Sequence, residues 1–373
     1  MSVAKSVVLT GFAVFSMIFG SSNIVFPLIV GKDHMSNFLP AILGWFLATV
    51  AIPMAGYFAS MLFEADNKKF LSPVGKYCSA LFMLLVMLMT GPFGAIARGV
   101  NVSFGGFHIL LPDLPAMSFN FVYCLIVVLI AWRPGKVVQI INCVFTPLKF
   151  GGVAIVVGCA MFFLKGSFFD IEKSALSGFE SFFDSFKVGY QTMDLLSAFL
   201  MASAVFTYVK NALPKEKREN KKYMIKIGAL VCSVGGLILS IVYAGLIIVG
   251  AQYAPSLTET PNEALFTKIA EIAIGGAYSP WIVAVIMAAC CLATNIILTC
   301  VFTDYVQNDI LKGRYNRNVI LLLVAVVTFV MSSLGFTQLC KFLGTILEPL
   351  YPVIIVFVVC RIFYYFMRER RKA

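Results

Sequence analysis

Long apolar runs alternate with short polar stretches along the whole chain. Ten of the runs are long enough to cross a bilayer, which takes about 20 predominantly apolar residues in a helix. They fall near residues 6–31, 38–63, 76–105, 114–132, 139–164, 182–209, 223–252, 275–303, 319–335 and 338–365. The pattern predicts an all-α polytopic membrane protein, one integral-membrane unit over residues 1–373. If ten helices form two repeats of five, residues 1–165 are the first and 166–366 the second, with 367–373 a basic tail.

Two of the runs are flawed in a matching way. The first carries Gly20-Ser21-Ser22-Asn23 near its middle and Pro27 soon after. Ser and Asn compete for backbone hydrogen bonds, and Pro lacks an amide donor, so an unbroken helix is disfavoured there. In hydrocarbon an unsatisfied backbone group costs several kcal/mol, so such a break survives only where it lines a protein-enclosed cavity. The sixth run carries Gly189-Tyr190-Gln191-Thr192-Met193-Asp194. A carboxylate inside a span costs about 2.5–3.5 kcal/mol on insertion scales, and it normally faces a cavity or a partner. Asp194 reads either as a site carboxylate or as an interfacial acid capping a helix fragment; the neighbouring Gly, Gln and Thr favour the first. Broken helices in the first and sixth positions are the expected walls of a polar site at mid-membrane depth.

Two further stretches add candidates. Gly91-Pro92 kinks the third run, and Phe93 and Ile96 beyond it offer an apolar wall. Arg98 reads equally as a gate residue or as a structural pair. In the eighth run Cys291, Thr294 and Asn295 share a helical face. Their oxygens suit a hard cation such as sodium, although Thr and Asn also join membrane helices to one another. Glu348, flanked by Pro349 and Pro352, reads as a buried acid that is functional, paired with Lys341 or neutral and protonated.

Charge changes the picture by fixing an orientation. With a cytoplasmic N-terminus, 21 of the 29 Lys and Arg residues fall on the inside and six on the outside. That bias places both termini in the cytoplasm. It also accounts for the net charge of +11 without a nucleic-acid partner; the lipid bilayer is the partner expected. The run from Lys215 to Lys222 is then a cytoplasmic loop near anionic headgroups. Composition agrees: 60% of residues are hydrophobic, 13% are charged, and mean hydropathy is +0.92, against about 25% charged in soluble domains. The first run is too long for a signal-peptide core. The ten cysteines form no CxxC pair or Cys/His cluster, so no disulfide framework or metal-binding motif of that kind is expected; those in apolar runs, Cys360 included, read as small buried residues. His34 and His108 fall near run ends and read as loop residues. Two longer outer loops, near 165–182 and 253–274, are expected to hold short interfacial helices. An integral-membrane enzyme would need His, Asp or Cys gathered at one membrane face, and the sequence gathers none.

These motifs together resemble the bacterial branched-chain amino acid:cation symporters. The resemblance is carried by Phe19-Gly20-Ser21-Ser22-Asn23-Ile24-Val25-Phe26-Pro27, by Gly91-Pro92-Phe93-Gly94-Ala95-Ile96-Ala97-Arg98 and by Gly189-Tyr190-Gln191-Thr192-Met193-Asp194. Cys291-Leu292-Ala293-Thr294 and Leu350-Tyr351-Pro352 follow in the same order. It implies a leucine-transporter-type fold of five plus five inverted helices, in a bacterial inner membrane, importing a hydrophobic amino acid with sodium and no other cofactor. Carried over by position, Gly20, Ser21, Ser22 and Asn23 bind the substrate carboxylate and a cation, with Tyr190, Thr192 and Asp194 facing them. Carbonyls of Ser16, Phe19 and Cys291, with Asn23, Thr294 and Asn295, form a sodium site. The chain departs from the family at Ser21-Ser22 (usually Ala-Gly), at Leu28 and Ala97 (usually Pro), at Ala293 (usually Thr) and in having ten segments against twelve. A proton-coupled carrier of another small metabolite, or a non-transporting sensor on the same fold, stays open beside it.

Overall fold

The computed structural model describes residues 3–132, 146–162, 171–212, 220–276 and 278–371. Among these residues the regular elements are all helical, with no strand. The first run is two helices, α1 (Val3–Ile18) and α2 (Ser22–His34), with residues 19–21 outside both. The second is α3 (Phe38–Phe46), a π-helical turn (Leu47–Ala51) and α4 (Ile52–Leu62). Pro53 at the start of α4 cannot donate to the turn before it, which is where the helix widens. A short helix, α5 (Asn67–Leu71), follows; the Asp66 carboxylate caps it by accepting from the Lys68 and Lys69 amides. The third run is α6 (Lys76–Thr90) and α7 (Ala95–His108). Residues 91–94 are turn, so Gly91-Pro92 interrupts the helix outright where the sequence predicted a kink.

The fourth run is α8 (Ala116–Ala131), and α9 (Thr146–Phe162) is the described part of the fifth. The sixth run begins with α10 (Gly178–Gly189), started by a capping box between Ser177 and Glu180. A 3-10 turn (Tyr190–Thr192) and a left-handed Met193, φ 58°, separate it from α11 (Asp194–Ala212). A non-glycine residue in that conformation costs energy, and such residues gather at functional sites. The remaining helices are α12 (Lys221–Gln252), α13 (Leu265–Ile274), α14 (Ser279–Tyr305), α15 (Arg317–Ser332) and α16 (Phe336–Arg370). Among the described residues five stretches are long and apolar enough to cross a membrane: Ser22–Leu62, Lys76–His108, Lys222–Gln252, Ser279–Ile310 and Phe336–Arg368. Five shorter apolar helices accompany them.

Four expectations change. Phe179, Phe182 and Phe183 belong to α10, so the described part of the first outer loop feeds straight into the broken run. The second outer loop does hold a helix, α13, which buries Leu265, Phe266, Ile269 and Ala270 against the core. His34 is no loop residue: it is 1% exposed, with Nε2 3.2 Å from the Asp184 carboxylate. Glu348 and Cys360 are exposed, and Glu348 has no ion pair with Lys341 among the described residues.

Packing places the breaks in the interior. α12 lies along both α1 and α2, while α10 and α11 lie along α3 and α4. The α2–α12 contact is close enough to need glycine on both sides. A Cβ on Gly31 would fall 2.0 Å from the Ile247 carbonyl oxygen, and one on Gly250 would fall 2.5 Å from that of Leu28. Backbones this close gain dispersion contacts that lipid cannot replace. α7 and α14 pack face to face, and α8 bridges α14 and α15.

Candidate functional site

The first break leaves backbone groups without helical partners. α2 starts at Ser22 after Ser21, and no side chain caps it. The Ile24 and Val25 amides both turn to the Ser21 carbonyl, so it is the Ser22 and Asn23 amides at the head of α2 that have no intrahelical acceptor. In a continuous helix the Gly20 amide would bond the Ser16 carbonyl. Here it donates to Asn23 Oδ1 at 3.2 Å, which releases the Ser16 carbonyl from that bond. Pro27 sits inside α2, and its missing N–H leaves the Asn23 carbonyl without the donor one turn on. Ser21, Ser22 and Asn23 are all buried.

The second break brings a carboxylate to this place. Asp194 is 2% exposed, and Asn23 Nδ2 donates to its Oδ1 at 3.0 Å and its Oδ2 at 2.9 Å. The same amide reaches the Tyr243 hydroxyl on α12, and that hydroxyl bonds the Asp194 carboxylate. The Asp194 backbone amide donates to Thr192 Oγ1 at 3.4 Å, and Thr192 Oγ1 donates to the Gly189 carbonyl at 2.9 Å. Among the described residues no Lys, Arg or His forms an ion pair with Asp194. Its direct hydrogen-bond donors are neutral and the buried Arg98 guanidinium acts on it only from beyond ion-pair distance, so the carboxylate leaves room for a cation or a proton beside it. The Tyr57 hydroxyl is buried without a hydrogen-bond partner among the described residues, within electrostatic reach of Asp194.

Aromatic rings close the surroundings. Tyr190 stacks on Tyr351 of α16, ring centroids 4.5 Å apart, and meets Phe186 edge-on at 5.1 Å. Tyr243 has Trp45 edge-on at 5.8 Å and Phe19 at 6.1 Å. Half-buried Phe93 packs against the cluster that holds Tyr190 and Met193. Arg98 is fully buried. Its Nη1 lies 3.4 Å from Gln191 Oε1, and its guanidinium carbon sits 5.2 Å above the Phe26 ring. Gln191 Nε2 donates in turn to the Cys340 carbonyl at 3.2 Å. The third run is thereby tied to the second break.

The eighth run divides. Thr294 comes to the first break, its Cγ2 3.9 Å from where a Gly20 Cβ would be, and its hydroxyl donates to the Cys290 carbonyl at 3.2 Å. Asn295 does not come with it. Its Nδ2 donates to the Ile96 carbonyl at 2.9 Å and to the Tyr123 hydroxyl at 3.2 Å, which binds α14 to α7 and α8. Ile96 goes the same way, lining a small space with Val100, Tyr123 and Thr299 away from the breaks. Successive helix residues differ by about 100° in direction, so Thr294 and Asn295 part company although the i, i+3, i+4 rule set both on one broad face. Cys291 is buried in the core shared by α1, α2 and α12.

A family model described as branched-chain amino acid transport protein matches residues 3–373. The chain belongs to this family. Transport, not catalysis, is the family's work. The chain is 26% identical over 359 residues to the branched-chain amino acid permease BrnQ of Bacillus subtilis (strain 168), covering 94% of this chain and 80% of the permease. It is also 26% identical over 362 residues to the BrnQ permease of Escherichia coli (strain K12), covering 95% and 80%. A Pseudomonas aeruginosa relative, the branched-chain amino acid transport system 3 carrier protein, is 28% identical over 358 residues, again covering 95% and 80%. A solved manganese transporter from Eremococcus coleocola is a more distant match, at TM-score 0.49 and 12% identity over 96% of this chain and 76% of that one.

Sequence reading passed over Tyr57, Trp45 and above all Tyr243, which bonds Asn23. Tyr243 sits with Ser240 in the otherwise apolar stretch Leu239-Ser240-Ile241-Val242-Tyr243-Ala244. A tyrosine in such a run is ordinary, and nothing local says that it meets Asn23.

Proposed function

We propose that the protein is a secondary active symporter that imports branched-chain or other hydrophobic amino acids, driven by a sodium gradient. The observation that carries the proposal is the Asn23–Asp194 hydrogen bond, which joins two helix breaks 171 residues apart. One break offers uncapped amides at a helix N-terminus, which favour an anion such as the substrate carboxylate. The other offers a carboxylate without an ion pair, which favours the substrate ammonium or a cation. An α-amino acid carries both charges on groups attached to one carbon. The released Ser16 carbonyl, the Phe19 carbonyl in the break and the adjacent Thr294 are the groups proposed to hold sodium, with Asn23 and the Cys291 carbonyl beside them. Tyr190 and Phe93 would form the apolar end of the site.

The architecture proposed is the five-plus-five inverted repeat with both termini cytoplasmic. Two features support it. Breaks occur in the first and sixth runs, the leading helix of each half. Packing is also reciprocal: the first run lies on the seventh, as the sixth lies on the second. Alternating access then follows from rocking one helix bundle against the other around the site. Inward movement of one sodium ion gains about 2.3 kcal/mol per 100 mV before its concentration gradient is counted.

A proton-coupled carrier of a different small metabolite is the second reading, favoured by the same unpaired Asp194, which a proton would neutralise. Proteoliposome uptake of labelled leucine, isoleucine, valine and methionine separates the two. Each substrate is measured with an inward sodium gradient, an inward proton gradient, and neither. Sodium-stimulated uptake of at least one of the four is expected. Stimulation by protons alone selects the second reading, and no uptake under either gradient removes the first.

A further inference from the structure

A groove lies away from the breaks, where the end of α16 meets the segment between α4 and α6. It is an open groove of about 1090 Å³ whose lining includes Phe63, Lys68, Lys69, Arg361, Tyr364 and Arg368. Four of these side chains are cationic. Lys69 is already matched, its Nζ 2.5 Å from Glu64 Oε2, and the Asp66 carboxylate is engaged by the Lys68 and Lys69 amides. Lys68 and Arg368 are exposed and form no ion pair among the described residues.

Arg361 is the unusual member. It is 4% exposed and has no carboxylate partner among the described residues. Its Nη2 donates to the Lys69 carbonyl at 2.8 Å. Its guanidinium carbon lies 3.9 Å above the Phe63 ring, with Phe70 at 5.7 Å and Tyr364 at 5.3 Å. Its buried Nε has no hydrogen-bond acceptor among the described residues. Burying a guanidinium without an anion is costly, and the planar fork is suited to phosphate. Beside the cations the wall is apolar, and α16 continues outward with exposed Val356, Val359, Phe363 and Met367. Charge at a helix end next to an exposed apolar flank is the arrangement that recognises anionic lipid.

We propose that this groove binds the phosphate headgroup of an anionic phospholipid, with Arg361 as the buried anchor, Lys68 and Arg368 at the mouth, and the acyl chains along α16. The site shares no residue with the two breaks. It requires a membrane protein but not the substrate or coupling ion proposed above.

The test uses the full chain purified in mixed micelles of phosphatidylglycerol and phosphatidylcholine, with bound lipid counted by native mass spectrometry and affinity measured by titration. The K68Q/R368Q double variant alters exposed residues and keeps the fold, as an unchanged elution profile and helical spectrum will show. Each cation near an anionic lipid is worth about fivefold in affinity, so the double variant should bind phosphatidylglycerol roughly 25-fold more weakly. Arg361→Gln should weaken it further. A control, K312Q/R314Q, removes the same charge elsewhere and should leave binding unchanged. Equal retention of the two lipids by the wild type would overturn the proposal. So would an equal loss in the control, or binding of inorganic phosphate as tight as that of the lipid.

Discussion

The breaks in the first and sixth runs occur for different reasons and supply different things. The first, at residues 19–21, has one packed ring, Phe19, followed by small residues whose side chains do little. Gly20 and the two serines make no cap, and what is offered is backbone: free amides at the head of α2 and carbonyls from the end of α1. The second, at residues 190–193, is held by side chains and by a left-handed Met193, and what it offers is the carboxylate of Asp194. Asn23 belongs to one break and reads the other: its Oδ1 accepts from Gly20, while its Nδ2 reaches Asp194 and Tyr243. A site divided in this way gives shape to one wall and charge to the other.

The largest effect is expected from removing the charge. Asp194→Asn should cut uptake by about 10- to 150-fold, from the loss of a charge-assisted contact worth about 1.5–3 kcal/mol. Surface expression should be unchanged, as surface labelling will report. Near-normal uptake would make Asp194 a structural cap and dissolve the contrast between the breaks. Tyr243→Phe removes one donor from the carboxylate and should weaken substrate or ion binding about fivefold, the value of one hydrogen bond of about 1 kcal/mol. Its half-saturation for sodium and for substrate should be measured separately.

Asn295→Ala should affect stability and leave coupling alone. Loss of the Ile96 and Tyr123 bonds is expected to cost about 1–3 kcal/mol, seen as a lower melting temperature in detergent. The sodium dependence of uptake should not move. A weakened sodium response at unchanged stability would restore Asn295 to the ion site that the sequence pattern suggested. The smallest effects belong to the first break's side chains. Ser21→Ala and Ser22→Ala should each alter uptake by less than about threefold, since neither hydroxyl caps α2 and the amides remain. A large loss from either would mean that the hydroxyls themselves hold substrate.

The same contrast explains what could be read from the sequence. Breaks announce themselves locally: Gly, Ser, Asn and Pro are poor helix formers wherever they fall, so residues 20–27, 91–92 and 189–194 stood out from the apolar runs. The all-helical class followed from run length for the same reason. What each side chain turns toward is a tertiary matter. Asn295 and Thr294 are neighbours on one helix, yet α7 takes one and the first break the other. His34 looked like a loop residue until α10 brought Asp184 to it. Glu348 looked buried because prolines and apolar residues flank it, but its position on α16 leaves it exposed. Tyr243 carried no local signal, because its partner lies 220 residues away.

The central claim is that the two breaks act as one site, and a double-mutant cycle on Asn23 and Asp194 tests it most directly. Sodium-dependent leucine binding would be measured for the purified wild type, Asn23→Ala, Asp194→Asn and the double variant. Because one hydrogen-bonded pair underlies both effects, the double variant should bind little worse than Asp194→Asn alone, leaving a coupling of about 1–3 kcal/mol. Strictly additive losses would show that Asn23 and Asp194 act separately, and would contradict the account.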